Sequence, residues 1–243
     1  MRLAVFLLAL PLAAELSPRT EREFERYLAA AMQEMAVAPV RIQATAASGV
    51  KVLAWGEEPT TDVHDGLVHD WVGSVFVPGV KAERAVALLT DFPRHSSIYA
   101  PEVAASGLIA KDGEVYRSTL RLVKKKVITV VLDTEYETRY TQLGAGRWLG
   151  VVRSTRIQEV EDAGEKSEEL KPVGEGHGFL WRLNSWWVVH EQNGGVLLQL
   201  RSVSLTRDIP IVVSWAVKPM VTSLPRESLT STLEKTAAAL RRQ

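Results

Sequence analysis

The feature that most constrains this chain is a series of apolar segments of alternating polarity that occupies residues 103–206. The alternation predicts strands, because successive side chains of a strand point to opposite faces of a sheet. Asp112-Gly113 and Asn193-Gly194-Gly195 separate neighbouring segments and are typical of hairpin turns. Such short links require antiparallel pairing, and an antiparallel sheet with one apolar face needs a cover on that face.

A helix near the carboxyl end is the natural cover. Following Pro225, Leu229, Leu233, Ala237 and Leu240 recur at helical spacing and fall on one face. Ahead of the strand series, the sequence predicts a short strand over 71–77, a helix over 81–89 and a second short helix before Pro101. We therefore expect an α+β fold in which a curved antiparallel sheet of about six or seven strands wraps a long C-terminal helix.

The first fourteen residues have the layout of a secretory signal. Arg2 gives a positive start, 3–12 is apolar, and Ala13-Ala14 ends the segment with small residues. The apolar run is about half the roughly 20 residues that span a bilayer, so a stable membrane span is disfavoured. We expect export to the periplasm or medium with cleavage after Ala14; the alternative is a buried N-terminal helix. The chain contains no cysteine, so its core alone must stabilise it.

The segment 15–67 is predicted to be an N-terminal extension and linker. Ser17-Pro18 forms a helix start, with Ser as N-cap and Pro in the first turn. The helix is expected to continue to about Ala36, and the polar stretch 57–65 resembles a linker. We expect a main domain over 68–243, which retains its fold without the extension.

Two short motifs resemble a known superfamily. The residues from Val86 to Pro93 (VALLTDFP) and from Tyr99 to Val103 (YAPEV) are similar to the start of START-like (SRPBCC) ligand-binding domains, in the branch with coenzyme Q-binding and polyketide cyclase-like proteins. The similarity extends over about 68–242. It implies a helix-grip fold with a pocket between the sheet and the terminal helix, and it indicates a fold better than an activity.

Alternation also predicts which strand residues face the helix. In each strand one face is apolar with a few hydroxyl groups, and the other carries charged or polar residues such as Gln199 and Arg201. An apolar wall with a few polar groups is typical of a small-molecule site, although a plain hydrophobic core gives the same pattern. The predicted ligand-binding residues are Tyr116, Ser118, Leu120, Leu122, Val130, Leu132, Thr134, Tyr136, Trp181, Leu183, Trp187, Leu198, Leu200 and Ser202.

Other kinds of site have less support. Equal numbers of acidic and basic residues, 29 of each, disfavour a nucleic-acid partner. A group of polar residues resembles a metal site but lies in a polar stretch, so no metal is predicted; its members are Asp62, His64, Asp65, His69 and Asp70. Motifs for hydrolase nucleophiles, phosphate loops and zinc peptidases are absent from the sequence, and no cofactor is predicted.

Three functions fit these patterns. The first is an exported, non-catalytic binding protein for a small apolar molecule such as a lipid, a quinone or a polyketide-like compound. The second is a cyclase- or hydrolase-type enzyme on the same fold, with Tyr116, Tyr136 or His190 of the inner wall as acid or base; paired titratable groups, which such chemistry normally needs, are missing from the wall. The third is a protein-interaction module with a filled core. The sequence makes no prediction of oligomeric state.

Overall fold

A computed structural model describes residues 15–126, 128–208 and 211–242, with the backbone alone for 211–222. The predicted signal segment, 1–14, lies outside the described residues. Helix α1 spans Pro18–Val37, and Ser17 caps it by accepting a hydrogen bond from Thr20 N at 3.1 Å. This confirms the predicted helix start, because the cap and the first-turn proline act locally.

The strands form one antiparallel sheet in the order β1-β3-β10-β9-β7-β6-β5-β4, with β2 paired to β3 and β8 to β7. Asn193 and Gly194 take φ values of 51° and 72°, as the predicted tight hairpin requires. The fold class is confirmed; three short strands extend the predicted sheet. The strands are β1 Lys51–Ala54, β2 Thr60–Val63, β3 Gly66–Pro78, β4 Val103–Asp112, β5 Val115–Lys125, β6 Thr129–Gly144, β7 Arg147–Glu161, β8 Glu169–Leu170, β9 Arg182–Gln192 and β10 Gly195–Arg207.

Helices cover one face of this sheet, which we call the inner face. They are α2 Ala82–Leu89, α3 His95–Ile98 and α4 Ile211–Arg242, with a 3-10 turn at Phe92–Arg94 before α3. The sequence placed the start of the last helix after Pro225, but the helix begins fourteen residues earlier and continues through that proline. Proline stops a helix only where its ring and missing N–H cannot be accommodated, so the sequence argument set the boundary too late.

Helix α4 is held at both sides of the sheet. Its Leu233 lies so close to Gly73 of β3 that a Cβ there would come within 2.5 Å of the leucine methyl group. At the other side, Lys126 from the β5–β6 turn pairs with Glu227 at 2.8 Å, and Lys235 pairs with Glu102 before β4. The helix therefore spans the inner face from β3 to the β4–β5 side.

Helix α1 covers the opposite face, which we call the outer face. Phe24, Leu28 and Met35 of α1 are buried there against an apolar cluster on the outer face of the sheet. This cluster comprises Val68, Trp181, Trp186, Val188, Val203 and Leu205. The extension and the main domain thus share a core, and strands β1 and β2, the latter in the predicted linker, share the sheet. The predicted boundary between residues 67 and 68 lies inside β3.

Beneath α1 lies a buried ion pair. Arg201 of β10 donates from Nε and Nη2 to Asp70 of β3 at 3.0 and 2.6 Å, and its guanidinium lies 3.7 Å from the centroid of the Trp55 ring. The Tyr27 hydroxyl of α1 donates to the same carboxylate at 3.0 Å. Burial and this carboxylate raise the pKa of Tyr27 to about 12, which keeps the proton on the hydroxyl. The outer face is thus not uniformly solvated.

Candidate functional site

The inner face contains nearly all of the residues predicted from alternation. Directly opposed residues share a face, and the register pairs Ser118 with Tyr136 and Leu120 with Thr134 across β5 and β6. The register of β9 and β10 pairs Trp187 with the inner-face Leu200. All predicted ligand-binding residues except Trp181 therefore face the same side. They are Tyr116, Ser118, Leu120, Leu122, Val130, Leu132, Thr134, Tyr136, Leu183, Trp187, Leu198, Leu200 and Ser202.

Two predicted positions are wrong. Trp181 precedes the first residue of β9, Arg182, so alternation does not apply to it, and its ring packs in the α1 cluster. His190, proposed as an inner-wall acid or base, lies opposite Leu197 of β10, which packs with Phe76 on the outer face. Its imidazole is therefore on the outer face of the sheet.

One part of the inner face is a packed core. Trp187, Leu198 and Leu200 are buried against Leu229 and Leu233 of α4, together with residues of α2. For these positions the plain-core interpretation is correct, because helix side chains fill the space above them. The packing lies under the second half of α4, where that helix crosses β3.

Another part retains free surface although it faces the same helix. Leu120, Leu122, Val130, Leu183 and Ser202 all point inward and all remain partly exposed. A close-packed interior leaves few voids as large as a water molecule. Partial exposure of these inward-facing side chains therefore shows that no neighbouring side chain packs over their whole surface.

Two of the predicted hydroxyl groups are held by the sheet. Thr134 Oγ1 donates to the carbonyl oxygen of Leu120 at 2.9 Å. Burial raises the pKa of Tyr136 to about 12, an effect that a hydrogen bond with Thr134 partly offsets. A phenol with such a pKa is neutral at pH 7, which suits it to hydrogen bonding better than to acting as a base.

Five buried polar atoms on or beside this face have no hydrogen-bond partner within the part of the chain that the structure describes. Burying such an atom costs about 1–3 kcal/mol of folding free energy unless a ligand or a water molecule forms the missing hydrogen bond. The imidazole ring of His95 in α3 packs against the Phe92 ring, with 5.2 Å between the ring centroids. The Phe92 ring in turn packs against the ring of inner-face Tyr116, with 5.4 Å between the centroids. The five atoms are His69 Nδ1, Trp71 Nε1, His95 Nε2, Thr138 Oγ1 and Trp148 Nε1.

The sequence missed this set of atoms for local reasons. It started β3 at Trp71 and treated His69 as part of a polar linker, although Leu67, His69 and Trp71 continue the alternation of the strand. It also could not place His95, which reaches the sheet only through the tertiary position of α3. The buried Glu159 at the end of β7 is satisfied, since it accepts hydrogen bonds from His177 N at 2.7 Å and Phe179 N at 3.0 Å.

The group of residues that resembled a metal site is divided by the sheet. His69 lies opposite Ser204 on the inner face, whereas Asp70 binds Arg201 on the outer face. Among the described residues, no group of three or more histidine, aspartate or glutamate side chains is arranged to hold a metal ion. Within the same residues, no helix is both long enough and apolar enough to cross a membrane.

Two clefts lie outside the inner face. One, of about 260 Å³, lies between α1 and the strands β7 and β9, where Glu25 pairs with Arg153 at 2.7 Å. The other, of about 460 Å³, lies beside Arg121 of β5, which pairs with Asp133 at 2.7 Å and Glu168 at 2.9 Å. Ion-paired arginines line both clefts, so neither resembles an enclosure for an apolar molecule.

Searches of known proteins found similarity in solved structures. No family model and no curated protein matches the sequence. A STAR-related lipid transfer protein from Xanthomonas axonopodis is 21% identical, with 76% of this chain and 99% of that chain covered and a TM-score of 0.48. A Streptomyces aromatase/cyclase is 9% identical, covering 72% and 94%, with a TM-score of 0.49. A human lipid transfer and protein localization domain is 10% identical, covering 88% and 96%, with a TM-score of 0.49.

Proposed function

We propose that this chain is an exported, non-catalytic protein that binds a small apolar molecule between the inner face of its sheet and helix α4. The observation that carries the proposal is the free surface on inward-facing Leu120, Leu122 and Leu183, next to a core that is otherwise closely packed. An apolar wall with a few polar groups is what small-molecule sites consist of. The partly exposed residues Tyr116 and Ser202 of the same face supply hydroxyl groups that would orient such a molecule.

Mass spectrometry of an organic extract tests this function. The full chain is purified from its native host without detergent and extracted with chloroform and methanol. We expect one apolar compound, or a narrow family of them, in near-stoichiometric amount, and its absence from an extract of the Leu120→Trp variant, in which the indole occupies the space. An empty extract, together with no binding of the neutral dye N-phenyl-1-naphthylamine, would favour an interaction module with a filled core.

Export is the second part of the proposal, and the layout of residues 1–14 supports it. We expect N-terminal sequencing of the mature protein from its native host to begin near Glu15. Replacing Leu7 and Leu8 by arginine interrupts the apolar run and is expected to retain the full-length chain in the cytoplasm. Full-length, unprocessed wild-type protein in the cytoplasm would contradict export and leave the binding proposal unaffected.

A further inference from the structure

Two ion pairs bridge the cleft between α1 and the sheet. The cleft encloses about 260 Å³ beside α1, β7 and β9. Glu21 and Glu25 are one helical turn apart, so both lie on the same side of α1. Glu25 pairs with Arg153 of β7 at 2.7 Å, and Glu21 pairs with Arg182 of β9. The charged walls of the cleft are therefore held by both the helix and the sheet.

Asn184 lies beside both arginines on the sheet. It is directly opposite Arg153 in the register of β7 and β9, so about 5 Å separates their Cβ atoms. Arg182 is two residues away on the same face of β9. All three residues line the cleft. Register and alternation thus bring three side chains with hydrogen-bond donors together.

The side-chain amide of Asn184 offers the cleft two unused donors. The residue is only 6% exposed. Its Oδ1 accepts a hydrogen bond from Ser154 N at 3.1 Å, and this bond fixes the orientation of the amide, because Nδ2 cannot accept. Nδ2 has no partner among the described residues, yet it is not closed off from solvent. An acceptor oxygen that enters the cleft would form the missing hydrogen bonds.

The charges of the cleft favour a neutral molecule. Two glutamates and two arginines line it, and they neutralise one another in pairs. A ligand carboxylate would meet Glu21 and Glu25, and a ligand ammonium would meet Arg153 and Arg182. A hydroxyl group meets neither penalty, since it accepts from Asn184 or an arginine and donates to a carboxylate.

We propose that this cleft binds a neutral molecule with several hydroxyl groups, of the size of a monosaccharide, and that Asn184 Nδ2 donates to one of its oxygens. The cleft volume is near the lower end of small-molecule sites, about 300 Å³, which suits a single sugar ring. The site is on the outer face of the sheet and does not depend on the binding function of the inner face.

Nuclear magnetic resonance of the full chain labelled with nitrogen-15 asparagine tests the site at the atom concerned. The chain has only two asparagines, Asn184 and Asn193, and Asn193 lies in the β9–β10 hairpin turn outside the cleft. D-Glucose, D-galactose and D-mannose are added in separate titrations. We expect at least one hexose to shift the side-chain amide signal of Asn184 saturably while that of Asn193 stays in place. An unmoved Asn184 signal with all three hexoses would overturn the site.

Calorimetry on matched variants and probes tests the role of Asn184 and the preference for a neutral ligand. Asn184→Asp keeps an oxygen for Ser154 N but loses both donors, so we expect the Kd of the hexose to rise roughly tenfold or more, the effect of one lost hydrogen bond. The control, Asn193→Asp, makes the same change outside the cleft and retains the affinity. The amino sugar and the uronic acid that correspond to the hexose are expected to bind more weakly than the hexose. Equal affinity of Asn184→Asp and the wild type, or tighter binding of either charged analogue, would overturn the proposal.

Discussion

At the scale of single residues, Arg201 joins the sheet to α1 through a buried charge, because it pairs with Glu34 of α1 at 2.9 Å as well as with Asp70 of β3. Removing one partner of a buried ion pair leaves the other charge unpaired, so we expect Arg201→Ala to lower the free energy of unfolding by about 3–5 kcal/mol. The control is Arg153→Ala, which breaks another pair with α1, to Glu25, but at a side chain that is 59% exposed. Exposed pairs contribute about 0–1 kcal/mol. Urea unfolding measures both values, and equal losses would contradict the buried role of Arg201.

Substitutions at Leu120 and Leu200 distinguish a ligand-binding space on the inner face from a filled core. Both point towards α4, but Leu120 is partly exposed and Leu200 is packed in the core. We expect Leu200→Trp to cost roughly 1–3 kcal/mol, because overpacking forces side chains out of their rotamers. Leu120→Trp is expected to cost clearly less and to abolish binding of N-phenyl-1-naphthylamine. A similar stability loss in both variants, with dye binding retained in Leu120→Trp, would show that no ligand space adjoins Leu120.

Alternation predicted the facing of side chains well wherever a strand runs without interruption. It failed at Trp181, because the strand begins one residue later. At His190 the alternation of β9 correctly indicates the outer face, and the assignment of this residue to the inner wall went against that alternation. Alternation could not show that Gln199 and Arg201 are buried. Their burial depends on α1 and on residues 41–42, whose backbone N–H groups both bind Gln199 Oε1. Such cover comes from residues more than 150 positions away in the chain.

At the scale of elements, deletion of α1 tests how much this helix stabilises the outer face. Deleting residues 15–37 exposes the cluster beneath it, and each fully buried apolar side chain lost contributes about 1.5–3 kcal/mol. With Phe24, Leu28 and Met35 removed, the loss is comparable to the 5–15 kcal/mol that stabilises a typical domain. We expect the shortened chain to aggregate or to melt without a cooperative transition in calorimetry. A cooperative transition at the wild-type temperature would instead support the extension as an accessory.

Local chemistry explains which elements the sequence could predict. The cap at Ser17 and the Asn193-Gly194 turn depend on a few adjacent residues, and both were predicted correctly. Strand β2 consists of Thr60–Val63 in a polar stretch and exists through its pairing with β3. Its β-branched residues favour a strand, but four residues in a polar stretch are too few for a regular alternation to predict one. Helix α4 was predicted only where its apolar face is regular, because Pro225 resembled a first-turn residue.

At the scale of the whole molecule, one sheet supports two layers of different kinds. The outer layer, under α1, is a core fixed by apolar contacts and a buried ion pair. The inner layer, under α4, combines a packed part with inward-facing side chains that keep free surface and with buried polar atoms that lack partners among the described residues. A cysteine-free chain with one stable layer can leave the other incompletely filled. Binding in the inner layer would then add to the stability of the whole fold.

This arrangement predicts that the thermal stability of the protein depends on its ligand. A molecule that binds only the native state stabilises it by about 2.7 kcal/mol when its free concentration is 100 times the Kd. We expect the protein as purified to melt at a higher temperature than the same protein after organic extraction and refolding, and added 1-dodecanol to restore the difference. Leu120→Trp is the control, since its indole fills the space and its melting temperature is expected to be independent of the alcohol. Identical melting before and after extraction, with no response to the probe, would mean that α4 closes over a filled inner face.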